Sequence, residues 1–503
     1  MALRQRLAVF QARPLLAVAL LLGSGLLAGC SSSDKPDDKV IQNLPTKFVG
    51  TVAADEPRAA LVAREMLEAG GFAADAAVAG VFAMAVTYPA AVSLGAGGVC
   101  LAADSEHLKI DAISFPLRMP TGGGAIPIPG LVRGMALLHG AYGRLRWEQV
   151  VIPAEQLARF GDATSRALVQ AVQETQPPVT QSPELGMLLG RPGGGVRGEG
   201  EKIPNPTLAN VFSRLRASGP HDFYQGLIAQ IMLSDMAQAG GNITTEELRN
   251  YVAQTSKPIE LEFRNRIKLY FTPETRGGAI AAWLMEQGFT QGGLGFSGIT
   301  AKPAAQAAAI GQAYMGLEAG APMFEHGSAS ISVMDRYGRT AACAIGLAKP
   351  FGARRVGQQT SILFAAPPGQ NGDEMPYLSA MAAIHTTGRQ AYAAAAASGG
   401  APAPAALAQA LLYGLVPEKM QAAEALARPR VFQPAPTAPL LFEPGTDSSV
   451  TAEIQKRGVA AAEVRRLGRL TLTLCSQGAP SNPGSCRAAA DKRGFGLAVG
   501  DEY

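Results

Sequence analysis

Two short stretches of this chain have spacings that could do chemistry by themselves. Gly293-Leu294-Gly295-Phe296-Ser297-Gly298 has the letters of a dinucleotide-binding loop, in which glycines let backbone amides close on a pyrophosphate. That chemistry needs a strand leading into the loop. The preceding segment, Ala279 to Gln287, has a helical pattern instead, so the motif reads as an ordinary loop. Ser32-Ser33-Asp34-Lys35 has a Ser-x-x-Lys spacing that can set a hydroxyl beside an amine base. It lies in a short polar stretch where no pocket could form. The 5 His and 5 Cys are scattered, and no His pair has the spacing that puts two ligands on one helix face. No metal site and no organic cofactor are implied.

Any real site must therefore be assembled by the fold from distant segments. The 503 residues are 47% hydrophobic and 17% charged, enough to bury a large core without a disulfide scaffold. With 58 Gly and 35 Pro the chain is rich in turns. A net charge of +4, from 44 Lys and Arg against 40 Asp and Glu, is diluted over a large surface. That argues against nucleic acid as a partner, since binding it leaves a concentrated basic patch. Helical pattern covers Pro57 to Ala69, Ala74 to Val86, Ala136 to Tyr142, Pro153 to Arg159, Thr244 to Tyr251, Ala403 to Tyr413 and Lys419 to Ala427. Strands are expected at Val99 to Ala102, Ser330 to Met334, Thr340 to Ile345 and Ser361 to Phe364, with a turn at Asp335 to Gly338. Gly190 to Pro206 reads as a loop. Helices, then strands, then strands and helices point to layered α+β packing rather than alternating βαβ units.

The first residues read as an address. Arg4, Arg6 and Arg13 precede an apolar run from Leu15 to Leu27, a charged region followed by a short hydrophobic one. The run ends in Leu27-Ala28-Gly29-Cys30, which resembles a bacterial lipobox, with Cys30 the lipidated residue and a polar tether after it. The expectation is a lipoprotein facing the periplasm, with Ser31 pointing to the outer membrane. In an oxidising compartment Cys475 and Cys486 are a plausible disulfide closing a short loop, whereas Cys100 and Cys343 lie in apolar runs and read as small buried hydrophobes.

Four blocks resemble one family in order. They are Gly70-Gly71-Phe72-Ala73-Ala74-Asp75 with Ser93-Leu94-Gly95-Ala96-Gly97-Gly98; Pro129-Gly130-Leu131-Val132-Arg133-Gly134 with Tyr142-Gly143 and Trp147; Phe223-Tyr224-Gln225-Gly226 with Gly240-Gly241-Asn242-Ile243-Thr244; and Arg276-Gly277-Gly278. Together they resemble the γ-glutamyltransferases, also called γ-glutamyltranspeptidases or glutathione hydrolases. The resemblance implies an N-terminal-nucleophile hydrolase with an α+β, four-layer αββα sandwich, whose precursor cuts itself to expose a nucleophile. With the signal peptide at 1–29 and Cys30 and tether at 30–48 read above, it implies a large-subunit-like region at 49–327 and a small-subunit-like region at 328–503. The last two would form one composite domain and a heterodimer of the chain's own fragments.

The resemblance also implies the site. Counting back from Asp335 puts Ser328 where the family has its Thr nucleophile, with cleavage between Gly327 and Ser328. A Ser hydroxyl attacks a carbonyl as a Thr hydroxyl does. The freed α-amine, with an ordinary pKa of roughly 8, suits a general base. Gly399 and Gly400, after Ser398, match the paired glycines whose amides form an oxyanion hole. Ser379, in Leu378-Ser379-Ala380-Met381, matches a substrate-binding segment, and Asp491 and Arg493 match a structural Asp-x-Arg element.

Departures accompany these matches. The Arg that grips a glutamyl carboxylate should follow Phe115, where this chain has Pro116; Arg118, two residues on, is the substitute if the loop is rebuilt. Gly346 and Ala348 stand where the family has Thr and Asn, and Phe364-Ala365-Ala366-Pro367-Pro368 where it holds the substrate's amino group. The expected function is amide hydrolysis or acyl transfer on a small γ-glutamyl or other amide, with altered specificity. The alternative is a membrane-anchored binding or scaffold protein that keeps the fold and catalyses little.

Overall fold

The computed structural model describes residues 48–264, 266–288, 307, 310–314, 327–368, 377–415, 422–456 and 458–500. The strands in chain order are β1 (Gly50–Ala54), β2 (Gly97–Asp104), β3 (Lys109–Phe115), β4 (Gln254–Ser256), β5 (Ile259–Arg264), β6 (Ile267–Phe271), β7 (Ser328–Asp335) and β8 (Arg339–Gly346). They continue with β9 (Ser379–His385), β10 (Gln390–Ser398), β11 (Val431–Phe432), β12 (Leu440–Phe442), β13 (Ala461–Glu463), β14 (Arg469–Ala479), β15 (Cys486–Ala490) and β16 (Leu497–Val499). Among the described residues, one antiparallel sheet runs β16-β1-β7-β8-β2-β3-β4 and a second runs β15-β14-β10-β9-β6-β5. A small third sheet, β11-β12-β13, stands apart from both.

The two large sheets face one another through β7 and β8 on one side and β10 and β14 on the other. Helices α1 (Pro57–Glu68) and α2 (Ala73–Thr87) cover the outer face of the first sheet. α2 is apolar on nearly every side and correspondingly buried. At its middle, a Cβ on Gly80 would lie 2.5 Å from Ile331 Cδ1, so the missing side chain lets α2 close onto β7. Helix Ala403–Leu415 covers the outer face of the second sheet. The expected αββα layering is what these contacts make.

β7 alternates with period two. Ala329, Ile331 and Val333 turn toward α2, while Ser328, Ser330 and Ser332 turn into the space between the sheets, all of them buried. The helices at Pro57–Glu68, Ala73–Thr87, Leu131–Tyr142, Trp147–Phe160, Thr245–Asn250 and Ala403–Leu415 match the helical pattern within a few residues at most ends. Ser361 to Phe364 is not a strand: the segment makes only isolated bridges, Gly95 with Phe364 and Val356 with Leu363, and Ser361 has φ +56°. Among the described residues no helix is long and apolar enough to cross a membrane.

Cys475 and Cys486 sit opposite each other on β14 and β15 and form the expected disulfide. Cys100 and Cys343 are buried as expected but are not free: they face each other on β2 and β8 and are also disulfide-bonded. Directly opposed antiparallel positions bring Cβ atoms close enough for this, and the two residues lie 243 positions apart in sequence. Cys30, Ser32 to Lys35 and Gly293 to Gly298 lie outside the described residues.

Candidate active site

Ser328 opens β7, paired across the sheet with Gly346, which is paired in turn with Gly97. Its hydroxyl faces the second sheet, and there the backbone N–H of Gly399 donates to Ser328 Oγ at 3.0 Å. The chain leaves β10 at Ser398 and turns through Gly399 and Gly400, whose φ values are +96° and +83°. These are left-handed conformations that glycine adopts without steric penalty. Space makes the same demand, since a Cβ on Gly399 would lie 3.1 Å from the Arg469 nitrogen. Gly400 then starts the next helix, its carbonyl accepting from Ala403 N–H at 3.0 Å.

On the other side of the Gly327–Ser328 peptide, the Gly327 carbonyl accepts from Leu347 N–H at 2.8 Å. What requires glycine at 327 is room: a Cβ would lie 2.4 Å from the Lys349 carbonyl carbon and 2.7 Å from its oxygen. The peptide bond before Ser328 is thus fixed at its carbonyl by one sheet, and the hydroxyl beyond it by the other.

Three residues that no motif flagged complete the surroundings. Asp55, buried just past β1, accepts at Oδ2 from Ser330 N–H (2.9 Å), Ser330 Oγ (3.1 Å) and Ser398 Oγ (2.7 Å). It therefore couples β7 to the strand that ends in the paired glycines. Arg469, the first residue of β14, donates through Nη2 to the Ser328 carbonyl at 2.8 Å and through Nη1 to Tyr88 Oη at 3.2 Å. Burial works against the Arg469 charge, but nearby Tyr88 and Asp55 hold its proton more firmly than in an ordinary arginine. Burial also pushes the Tyr88 hydroxyl above its usual range, which leaves it neutral.

The loop before Arg469 is itself held. Arg430 Nη1 donates to the carbonyls of Leu467 (3.1 Å) and Gly468 (3.3 Å), while Arg430 Nη2 pairs with Asp491 at 2.6 Å. Arg493 pairs with Asp491 at 2.9 Å and with Glu443. Burial alone would raise the Asp491 carboxyl, but Arg430 and Arg493 outweigh it and hold it below the usual carboxylate range. The Asp-x-Arg element is structural, as the resemblance implied.

The expected substrate contacts fare differently. Arg118 lies with its guanidinium 5.2 Å from the centre of the Tyr251 ring, in a short bridge to Ile128. Tyr251 Oη donates to the Pro116 carbonyl at 2.6 Å. Pro116 follows Phe115, which pairs with Gly98, so its place is three strand positions from Ser328 along the row through Gly97 and Gly346, roughly 14 Å at ordinary strand spacing. Ser379 pairs with Ala397, one residue before Ser398, so the pleat turns it to the opposite face from Ser398. It shares that face with Met381 and Ala397, in the core under helix Ala403–Leu415, and its Oγ has no hydrogen-bond partner. The register thus directs Ser379 away from Ser328. Ala348 has φ +64°, a conformation Asn takes more easily than Ala. Phe364, Ala365 and Ala366 are buried, and Ala366 N–H donates to the Leu347 carbonyl at 2.9 Å, making an apolar wall beside the residue that binds the Gly327 carbonyl.

A sequence model described as γ-glutamyltranspeptidase matches residues 59–291, which end before Ser328. Over 288 residues the chain is 30% identical to the glutathione hydrolase proenzyme of Pseudomonas aeruginosa, covering 54% of this chain and 49% of that protein. Over 246 residues it is 30% identical to glutathione hydrolase 2 of Arabidopsis thaliana, covering 46% of this chain and 42% of that one. The chain thus spans slightly under half the length of these relatives. The likeness of fold reaches further: the crystal structure of a cephalosporin acylase from Bacillus halodurans covers 92% of this chain and 98% of its own, with a TM-score of 0.69 at 17% identity. The likeness in sequence is thus to γ-glutamyltranspeptidases over residues 59–291, and the likeness in fold is to this acylase over nearly the whole chain.

Proposed function

We propose that this chain is a γ-glutamyltransferase-type N-terminal-nucleophile amidohydrolase or acyltransferase that cuts itself before Ser328. In self-scission, Ser328 Oγ bonds to the Gly327 carbonyl carbon as the Gly327–Ser328 C–N bond breaks, and the Oγ proton passes to the departing nitrogen. Water then hydrolyses the Gly327–Ser328 ester, leaving a Gly327 carboxylate and a free Ser328 amine. During turnover that amine takes the Oγ proton while Oγ attacks the substrate amide. The N–H groups of Gly399 and Gly400 stabilise the oxyanion. The proton passes to the leaving amine, and water or an acceptor amine releases the acyl group. The observation that carries this reading is the 3.0 Å hydrogen bond from Gly399 N–H to a buried strand-opening serine hydroxyl.

For the substrate, the relatives' names point to γ-glutamyl amides such as glutathione. A free amino-acid head needs both of its charges met. Here Arg118 is stacked on Tyr251, Pro116 stands in the expected arginine position, and the wall at Phe364 to Ala366 is apolar. The acyl donor in this reading is an amide without that zwitterionic head. Cys30 would carry the lipid anchor that holds the protein in the periplasm. A denaturing gel run with reductant tests the nucleophile: the wild-type chain resolves into two bands divided before Ser328, and Ser328→Ala stays whole. An uncut wild-type chain would instead favour the scaffold alternative. Rapid turnover of a γ-glutamyl anilide would contradict the argument from Pro116.

A further inference from the structure

The second sheet grips Ser328 twice, at its hydroxyl through Gly399 and at its carbonyl through Arg469. Only the first grip belongs to the machinery described above. Arg469 is 4% exposed and forks between two oxygens, the Ser328 carbonyl and Tyr88 Oη, so its guanidinium has little freedom to move. Bound to the carbonyl of Ser328, it fixes the backbone from which Oγ projects. By covalent geometry, Nη2 lies within roughly 6 Å of the Ser328 nitrogen.

Resting on the self-scission reading, we infer that Arg469 is the positioning residue of this site. It sets the Ser328 backbone for attack, and once the Ser328 amine is free its fixed positive charge favours the unprotonated amine, the form that acts as base. A like charge at that range lowers an amine's pKa. Among the described residues, the other charged and titratable groups that act on this cluster are Asp55, Tyr88, Asp491 and Arg466, with buried Glu56 held by Thr87 and Ala59. Asp55, past β1, is the opposing charge, but its Oδ2 accepts three hydrogen bonds from Ser330 and Ser398. Tyr88, after α2, is neutral. Asp491, which also acts on Arg469, is paired with Arg430 and Arg493, and Arg466, which acts on Tyr88, is paired with Glu174. Lys349, on the loop behind Gly327, is exposed.

The test uses the full chain with Arg469→Gln, Arg469→Lys and Tyr88→Phe. Self-scission is timed on reducing gels. The Ser328 amine is titrated by trace acetic anhydride labelling, read by mass spectrometry on the tryptic peptide Ser328–Arg336. Arg469→Gln should cut about tenfold more slowly or worse, and in the cut material the amine should titrate about one pH unit higher. Arg469→Lys should restore the titration but not the rate, because it keeps the charge and loses the fork. Tyr88→Phe, which preserves packing if Arg469→Gln fails to fold, should slow cutting with a smaller titration shift. Cutting rate and amine titration unchanged in the folded variants would overturn the inference while leaving self-scission standing. A wild-type chain that yields no peptide starting at Ser328 would overturn self-scission, and this inference with it.

Discussion

Gly399 meets two requirements in one residue: a backbone conformation at φ +96° and an N–H aimed at the Ser328 hydroxyl. An alanine there would bear a left-handed conformation costing about 1–2 kcal/mol, and its Cβ would press on Arg469 N and Gly468 Cα at 3.1 and 3.3 Å. The local response is for the turn to shift and the donor to move off Oγ. Gly399→Ala should therefore slow self-scission by roughly tenfold, the order expected when a hydrogen bond that orients the attacking hydroxyl is lost, while circular dichroism stays native. A time course of the cut fraction measures it, and wild-type kinetics would contradict the assigned role. Ser328, Gly399 and Gly400 could be named from sequence only through family resemblance, because nothing in their own spacing marks them. Asp55, Tyr88 and Arg469 were not legible at all. They come from three distant segments and acquire a role only when the two sheets face each other. The available signal was an arginine placed between Gly468 and the alternating Leu470-Thr471-Leu472-Thr473-Leu474 run.

The turn from β7 to β8 shows what a strand hairpin contributes here. Asp335 accepts from Tyr337 and Arg339 N–H at Oδ1 and from Ala73 N–H, in the first turn of α2, at Oδ2. It therefore ties the far end of β7 to the helix that covers it. Burial outweighs these donors and pushes its carboxyl from an ordinary 3.8 up to about 6. A raised folded-state pKa means that the folded chain prefers the protonated form. The contribution is complete below about pH 3.8 and is lost as pH rises through about 6. Asp335→Asn does not titrate. The stability difference between wild type and variant should fall by about 3 kcal/mol between pH 3.5 and 6.5 in urea unfolding, and a difference independent of pH would contradict this. The same hairpin was readable in sequence, with alternating strands meeting at an Asp-x-x-Gly turn. The second sheet was not. β10 is nearly all alanine, which by local preference reads as helix. Its place is set by packing between two layers rather than by propensity.

At the scale of the molecule, the bond proposed to break and a bond that stays intact lie in one sheet, at rows three residues apart along β8. Cys100 belongs to the part before Ser328 and Cys343 to the part after it, and their disulfide joins β2 to β8. A chain cut before Ser328 should therefore migrate as one band without reductant and as two with it, whereas Cys343→Ser should give two bands in both lanes. Two bands from the wild type without reductant would contradict the pairing. The layered fold itself was legible in outline, from the order of helices and strands and from the family blocks; the disulfide between strands distant in sequence was not. The reading as a whole depends on where the second fragment begins. Intact-mass spectrometry of the reduced, denatured wild-type protein tests this directly. A species beginning at Ser328 is predicted, absent from Ser328→Ala, and a single uncut mass for the wild type would contradict the account.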